Sequence, residues 1–237
     1  MQKILYVEDD LSLIDGLQYT LENSGYAVDN ARTVKEALSL FRSNHYDLLL
    51  LDVTLPDGTG FDVCKEVRSS STIPIIFLTA SDQEISIVKG LDMGGDDYIT
   101  KPFSISELIA RVDAVCRRVN RSGSKPEEAS QIVSGPFTLN LKSRTVFKNG
   151  EQIDLTQVEY QIMEYFFKNQ NTALDRSSIL NHIWGESYYG DDKIVDVNIR
   201  RIRMKIEDEP SNPKYISTIW GFGYKWSGDG NPDDDKK

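Results

Sequence analysis

The chain has 237 residues, of which 27 are basic and 37 acidic, so its net charge at neutral pH is −10. This length suits two ordinary domains, and no apolar run approaches the ~20 residues that a membrane span needs. The first residues lead directly into a predicted strand rather than a signal peptide, and Cys64 and Cys116 lack metal-binding spacing. We therefore expect a cytoplasmic protein with reduced thiols and no membrane association.

Strand and helix patterns alternate through the first half of the chain. Short apolar runs bounded by turn residues, such as residues 4–7, 48–51 and 75–78, are typical of strands buried on both faces of a parallel sheet. The segments between them repeat apolar residues at helical spacing. We predict an α/β domain over residues 1–120, with a doubly wound five-stranded parallel sheet in the flavodoxin-like order.

Polar residues stand at the carboxyl ends of four of these strands. Glu8 and Asp9 follow the first strand, and Asp52 follows four leucines. Thr79 follows residues 75–78, and Lys101 follows a short strand at 98–100. Open parallel sheets place their sites at this edge, so these side chains should converge.

The types of these residues predict their chemistry. Clustered carboxylates repel one another unless a cation joins them, and Mg²⁺ commonly combines one or two carboxylates with waters and phosphate oxygens. A carboxylate can also attack phosphorus and form an aspartyl phosphate. Singly, an acid after a strand is usually a helix cap or a turn residue, and Thr-Ala or Lys-Pro is usually a loop. The four together favour a phosphoacceptor carboxylate, with a hydroxyl and an ammonium group to hold the phosphoryl oxygens.

Residues 1 to about 120 resemble a bacterial response-regulator receiver domain. The motifs that carry the resemblance are Val7-Glu8-Asp9-Asp10, Asp52 with residues 55–60, Thr79-Ala80 and Lys101-Pro102-Phe103. The resemblance implies that Asp52 is the phosphoacceptor and that Thr79 and Lys101 hold the phosphoryl group. It implies a Mg²⁺ site made by Glu8, Asp9, Asp52 and the backbone carbonyl of Thr54. It also implies a cis Lys101–Pro102 bond, and no enzymatic activity beyond Mg²⁺-dependent self-phosphorylation and dephosphorylation.

The same resemblance implies a switch and a dimer. Thr79 would move towards the phosphoryl group, and Tyr98 would rotate inward. Activated receivers of this family pair through their last strand, their last helix and the helix before these. The expected cross-subunit charges are Asp97 with Arg111, Asp96 with Arg118, and Glu107. The alternative is that these residues are merely surface charges.

The composition then changes. Residues 121–131 are small, charged and proline-bearing, which predicts a flexible linker. Three short strands follow at 137–139, 145–147 and 152–154, and Thr156 with Glu159 forms a capping box at the start of a helix. Two more helices and a glycine-tipped hairpin at 215–226 complete a smaller α+β winged-helix domain over 132–226. The acidic residues 227–237 have low hydrophobicity and are predicted to be a disordered tail.

The third of these helices predicts the function of the second domain. Its apolar residues 195, 199, 202 and 206 fall on one stripe and should face the core. Residues 193–205 contain five basic residues and one acidic residue, whereas residues 122–237 contain 15 basic and 18 acidic residues. A charged helix face is usually only solvated. Here the local charge opposes that of the domain, and the helix precedes a wing, so DNA binding is favoured.

Residues 132–226 resemble the effector domain of the OmpR/PhoB winged-helix regulators. The motifs are Leu155-Thr156 with Glu159, Ile183-Trp184-Gly185, residues 195–203 and Gly221-Phe222-Gly223-Tyr224. The resemblance implies that Asp196, Val197 and Arg201 approach base edges, and helical spacing places Arg201 on the outward face, opposite the apolar stripe. It implies that Lys193, Asn198, Arg200 and Arg203 approach phosphates. In the wing, made by Trp220, Gly221, Gly223 and Tyr224, the family usually has an arginine where this chain has Trp220, which could stack or pack instead.

Together these resemblances predict a DNA-binding transcriptional regulator of a two-component system. A sensor histidine kinase would phosphorylate Asp52, which would promote dimerisation and binding to double-stranded promoter DNA, with RNA polymerase as a further partner. Two alternatives remain. A phosphohydrolase would usually need a second carboxylate where this chain has Thr54. A binding protein that never uses its phosphorylation site would not need the complete set of site residues.

Overall fold

The computed structural model describes residues 1–80, 93–120, 131–185, 188 and 192–230, with the side chains of 117–120 excepted. The chain divides into two compact units, Met1–Asn120 and Arg121–Lys237. Within the described residues, no helix is both long enough and apolar enough to cross a membrane.

The first unit is built on a five-stranded parallel sheet. Its strands are β1 (Lys3–Val7), β2 (Ala27–Ala31), β3 (Leu48–Asp52), β6 (Ile75–Thr79) and β7 (Asp97–Thr100). They lie in the order β2-β1-β3-β6-β7, which confirms the predicted flavodoxin-like fold. Among the described residues of this unit, the helices are α1 (Leu11–Asn23), α2 (Val34–Ser43), α3 (Gly60–Arg68) and α4 (Ile105–Asn120). A small hairpin, β4 (Thr54–Leu55) with β5 (Gly58–Thr59), connects β3 to α3.

The continuous apolar strands are explained by the two cores they separate. Leu48 and Leu50 pack on one side of the sheet, together with residues of α1 and α4. Leu49 and Leu51 pack on the other side, together with residues of α2 and α3. All four leucines are fully buried, and each such burial stabilises the fold by about 1.5–3 kcal/mol. The strand therefore fixes Asp52 at the carboxyl edge of the sheet.

A close backbone contact follows Asp52. A Cβ atom at Gly60 would lie 2.2 Å from the carbonyl oxygen of Asp52, so only glycine allows α3 to begin there. The helix is capped by Thr59 and Asp62, whose side chain and backbone groups form a reciprocal capping box. The glycine and the cap together hold the start of α3 against the edge that carries Asp52.

The described part of the second unit forms two antiparallel sheets and three helices. The first sheet has the order β11-β10-β9-β8, from β8 (Gln131–Ser134), β9 (Phe137–Asn140), β10 (Thr145–Lys148) and β11 (Glu151–Ile153). The helices are α5 (Gln157–Lys168), α6 (Arg176–Trp184) and α7 (Lys193–Ile206). The second sheet has the order β12-β14-β13, from β12 (Ala173–Asp175), β13 (Ile216–Ile219) and β14 (Gly223–Trp226). This arrangement confirms the predicted winged-helix domain.

The edges of this domain differ from the predicted ones. Strand β8 already begins at Gln131, the last residue assigned to the linker, and residues 121–130 lie outside the described residues. The prediction that a disordered tail starts at 227 is wrong for residues 227–230. Ser227 is 2% exposed, and its amide donates to the carbonyl of Tyr215 at 2.8 Å, while Gly228 packs closely on Ser134 of β8. Residues 231–237 lie outside the described residues.

Candidate functional sites: an acidic sheet edge and a basic helix

Three carboxylates meet at the carboxyl edge of the parallel sheet. Ligand oxygens of Glu8, Asp9 and Asp52 all lie within 4.8 Å of one another. Glu8 and Asp52 are 1% and 7% exposed, so their charges need a partner. The amide of Thr54 donates to Oδ1 of Asp52 at 3.3 Å. Three hard oxygen donors on this edge fit the ligand preference of Mg²⁺.

Lys101 joins two of these carboxylates. Its Nζ atom lies 2.6 Å from Oε2 of Glu8 and 3.0 Å from Oδ2 of Asp52. Burial raises the pKa of Glu8 above its ordinary value, although Lys101 opposes that shift. Burial disfavours the charged form of Lys101, but the hydrogen bonds to the two carboxylates outweigh it and raise the pKa of Lys101. The Lys101–Pro102 bond is cis, as the resemblance implied.

Two more residues stand at or beside this edge. Thr79 ends β6, is 4% exposed, and follows Leu78, which pairs with Asp52 in the sheet register. Tyr98 pairs with Phe77 in the register between β6 and β7 and is half-buried. The sequence did not predict a role for Tyr6, whose buried hydroxyl donates to Oε2 of Glu8 at 3.4 Å. A tyrosine in an apolar strand pattern gives no signal beyond core packing.

Asp96, Asp97 and Arg111 are buried in ion pairs within one chain, and their predicted pairing between two subunits stays a prediction. Asp97 is fully buried and accepts from Nη1 of Arg111 at 3.0 Å, and Arg111 is 7% exposed. Nη2 of Arg111 also lies 2.8 Å from Oε1 of Glu107. Asp96 is fully buried and binds Nη2 of Arg68 at 2.8 Å. The side chain of Arg118 lies outside the described residues.

The buried face of α7 is wider than predicted. The stripe that was expected to face the core is fully buried, as predicted; its residues are Val195, Ile199, Ile202 and Ile206. The expectation that Arg201 points outward is wrong. Arg201 is 6% exposed, and its Nη2 lies 2.9 Å from Oε1 of Glu159, the buried acid of the α5 capping box. Lys205 also binds Glu159, at 2.7 Å, so this one buried carboxylate of α5 holds two cationic side chains of α7.

Two neighbours on α7 are likewise turned inward. Asn198 was expected at a phosphate, but it is fully buried, and its side-chain amide donates to the carbonyl of Ile194 at 2.8 Å. Val197 was expected at a base edge, but it is 8% exposed. The buried face of α7 is thus wider than one apolar stripe, because polar side chains complete it through bonds that sequence spacing does not encode.

Asp196 and Arg203 connect α7 to the wing. Oδ1 of Asp196 accepts from Nε of Arg176 at 2.8 Å and from the hydroxyl of Tyr224 at 2.7 Å. Arg203 donates from Nε and Nη2 to the carbonyl of Ile216, at 3.0 and 2.7 Å. The sequence missed Arg176, since its partners are 20 and 48 residues away in the chain. These bonds make Asp196 and Arg203 part of the framework that positions the wing.

Some of the predicted DNA-contact residues do lie on the outer surface of this domain. Lys193 and Arg200 are exposed on α7, and Trp220, at the tip of the wing, is 91% exposed. Gly221, which follows it, has a φ of 71°. The predicted DNA-facing set therefore separates into an exposed group and a group that holds α7 and the wing in place.

Comparison with known proteins identifies the family. The family model described as response regulator receiver domain matches residues 4–113. The family model described as transcriptional regulatory protein, C terminal, matches residues 150–226. The sensory transduction protein RegX3 of Mycolicibacterium smegmatis is 40% identical over 228 residues, which cover 96% of this chain and 100% of the relative. RegX3 of Mycobacterium tuberculosis is 41% identical over 230 residues, with the same coverage. The chain belongs to the OmpR/PhoB family of response regulators.

Solved structures agree with this assignment. A RitR mutant matches with a TM-score of 0.74 at 27% identity, covering 96% of this chain and 99% of the other. The response regulator DrrB of Thermotoga maritima, described as an OmpR/PhoB homologue, matches with a TM-score of 0.52 at 31% identity, covering 96% and 100%. This response regulator therefore combines a receiver domain with a DNA-binding domain for transcription regulation.

Proposed function

We propose that this response regulator is switched by phosphorylation of Asp52, and that the phosphorylated form dimerises and binds promoter DNA. The observation that carries the proposal is the position of Lys101 between the carboxylates of Glu8 and Asp52. A fixed ammonium group beside a nucleophilic carboxylate suits a site that must receive a phosphoryl group. The phosphodonor would be a phosphohistidine of a partner sensor kinase.

The residues of the site have separate tasks in this proposal. An oxygen of Asp52 attacks phosphorus, the bond from phosphorus to the donor nitrogen breaks, and the electron pair leaves with the histidine. Lys101 then exchanges part of its contact with Asp52 for a phosphoryl oxygen, and the Thr79 hydroxyl donates to another. Glu8, Asp9, Asp52 and the carbonyl of Thr54 would hold Mg²⁺, which would neutralise charge on the transferring group.

Phosphate labelling tests the proposal. With acetyl phosphate and Mg²⁺, the full chain should gain one phosphate by intact mass, and Asp52→Asn should gain none. Asp15→Asn removes an exposed carboxylate from α1 and should label like the unmodified chain. Labelling of Asp52→Asn, or full labelling in the presence of a chelator, would contradict the proposal.

We also propose that the phosphorylated receiver pairs through the face formed by β7 and α4. The added phosphate brings about −1.5 to −2 charges to the sheet edge, which recruits Thr79 and Lys101. Lys101 directly follows β7 and its amide donates to the carbonyl of Thr79 at 2.6 Å, so a change at the phosphate reaches this strand. Asp97, Glu107 and Arg111 are paired there within one chain, and pairing of two receivers would exchange these partners between chains.

A further inference from the structure

The tip of the wing presents an aromatic surface with no charge. Trp220 is 91% exposed and Phe222 is 46% exposed, and residues 219–223 contain no ionisable side chain. The other two tryptophans of the chain, Trp184 and Trp226, are 3% and 0% exposed. Covering such an exposed indole with another surface lowers the free energy of the system.

The tip is held in one geometry. The amide of Phe222 donates to the carbonyl of Ile219 at 3.0 Å, and the carbonyl of Phe222 accepts from the amide of Arg176 at 3.4 Å. Gly223 sits against β12 so closely that a Cβ atom there would lie 2.1 Å from the carbonyl oxygen of Leu174. Because the turn is fixed on both sides, Trp220 is presented at a defined position.

The wing is also fastened to the basic helix. Tyr224 of β14 donates to Asp196 of α7 at 2.7 Å, and Nη2 of Arg203 donates to Oγ1 of Thr218 in β13 at 2.9 Å. The same helix carries the exposed Lys193 and Arg200. The wing that carries the aromatic tip is therefore attached to the helix that we propose for DNA.

We propose that Trp220 enters the minor groove as an apolar wedge, which partly unstacks one base step and bends the duplex. An indole has no charge to pair with a phosphate, but its flat face stacks on a base of any sequence. Apolar side chains inserted between base steps open the minor groove and kink the duplex towards the major groove. The inference rests on the proposed DNA binding and adds how the wing contacts the duplex.

The wedge is tested on duplexes enriched from a random-sequence library by the full chain, treated with acetyl phosphate and Mg²⁺. Trp220→Ala should lower affinity roughly ten- to a hundredfold, as loss of one aromatic–base stack does. Energy transfer between dyes on the two ends should show a smaller bend. Trp220→Leu should keep most of the bend, and Trp220→Arg should replace it with a salt slope steeper by about one unit. Tyr19→Ala removes an exposed aromatic from α1 and should change neither quantity.

Acrylamide quenching gives a second, independent readout. Because Trp184 and Trp226 are buried, the quenchable fluorescence belongs to Trp220, and bound duplex should protect it. If Trp220→Ala keeps both the bend and the affinity, or Trp220 stays quenchable in the complex, the wedge is overturned, and the tip faces a protein partner instead. If the unmodified chain enriches no duplex, the proposed DNA binding has failed, and the wedge fails with it.

Discussion

Arg200 and Arg201 are neighbours in sequence but have opposite surroundings, which makes them a matched pair for mutation. Arg201→Ala removes a buried partner of Glu159, so it should lower the free energy of unfolding of the winged-helix domain by about 3 kcal/mol. Arg200→Ala should change that free energy by less than about 0.5 kcal/mol, because Arg200 is exposed. It should instead weaken binding to all duplexes alike and reduce the salt slope by about one unit.

Urea denaturation of both variants and binding titrations at several salt concentrations separate the two roles. The opposite pattern would mean that α7 is rotated differently from this structure. In that case Arg200→Ala would lose stability, and Arg201→Ala would keep its stability while changing the preferred base.

Tyr224 should make the stability of the same domain sensitive to alkaline pH. Burial and the hydrogen bond to Asp196 raise the pKa of Tyr224 to about 12 from the ordinary value of 10.0. As pH rises, the unfolded chain loses this proton first, so the stabilisation is complete below about pH 10 and is lost towards about pH 12. Tyr224→Phe cannot ionise, and it also lacks the hydrogen bond.

The phenylalanine variant should therefore be less stable than the unmodified chain at pH 8, with a difference that shrinks between pH 10 and pH 12. Urea unfolding followed by circular dichroism at these pH values measures it. A difference that stays constant across this range would show that the phenol of Tyr224 does not titrate with folding.

At the scale of elements, alanine substitutions at two helical glycines should have opposite effects on stability. Gly60→Ala should destabilise the receiver by at least about 2 kcal/mol, because its Cβ atom would meet the backbone of Asp52 and displace the start of α3. Displacement of Asp52 should also slow labelling by acetyl phosphate. Gly16 lies inside α1 with no atom within 4 Å of an added Cβ, so Gly16→Ala should stabilise by about 0.5–1 kcal/mol. Thermal unfolding and labelling rates decide; normal labelling in Gly60→Ala would contradict the close contact.

The elements that the sequence predicted are those whose pattern is set within the element itself. Strand β3 is four leucines before a polar residue, and α7 repeats apolar residues at helical spacing, so both were predicted at nearly their observed limits. Strand β12 has only three residues, and it is a strand because Leu174 pairs with Tyr224, 50 residues away in the chain. Strand β8 similarly depends on pairing with β9. Short local patterns carry no information about such distant partners.

The candidate sites also differ in how far the sequence alone could predict them. The acidic edge was predictable because parallel strands place their carboxyl ends together, and topology alone brings Glu8, Asp52 and Lys101 within bonding distance. The DNA-facing set was predictable only in part. Helical spacing located the apolar stripe of α7, but the inward turn of Arg201 depends on a buried acid from α5. Residue type and spacing find a site made by topology better than one made by side-chain partners.

For the whole molecule, the proposed signal enters one unit and acts in the other. Pairing of two receivers would hold two winged helices together and raise the effective concentration of the second at a neighbouring half-site. Phosphorylation should then act on cooperativity: affinity for one half-site stays the same, and affinity for two correctly spaced half-sites rises. Two helices reach the same face of a duplex when their half-sites lie about 10–11 bp apart, one helical turn.

We therefore expect the phosphorylated chain to bind a duplex with this spacing cooperatively, and to lose cooperativity when the spacing is increased by about half a turn, roughly 5 bp. Asp52→Asn treated with acetyl phosphate should bind both duplexes without cooperativity. Titrations with the two duplexes and with a single half-site measure this, and sedimentation gives the oligomeric state in parallel. If phosphorylation raises affinity for the single half-site as much as for the pair, the switch acts inside one chain, and pairing of receivers is not its mechanism.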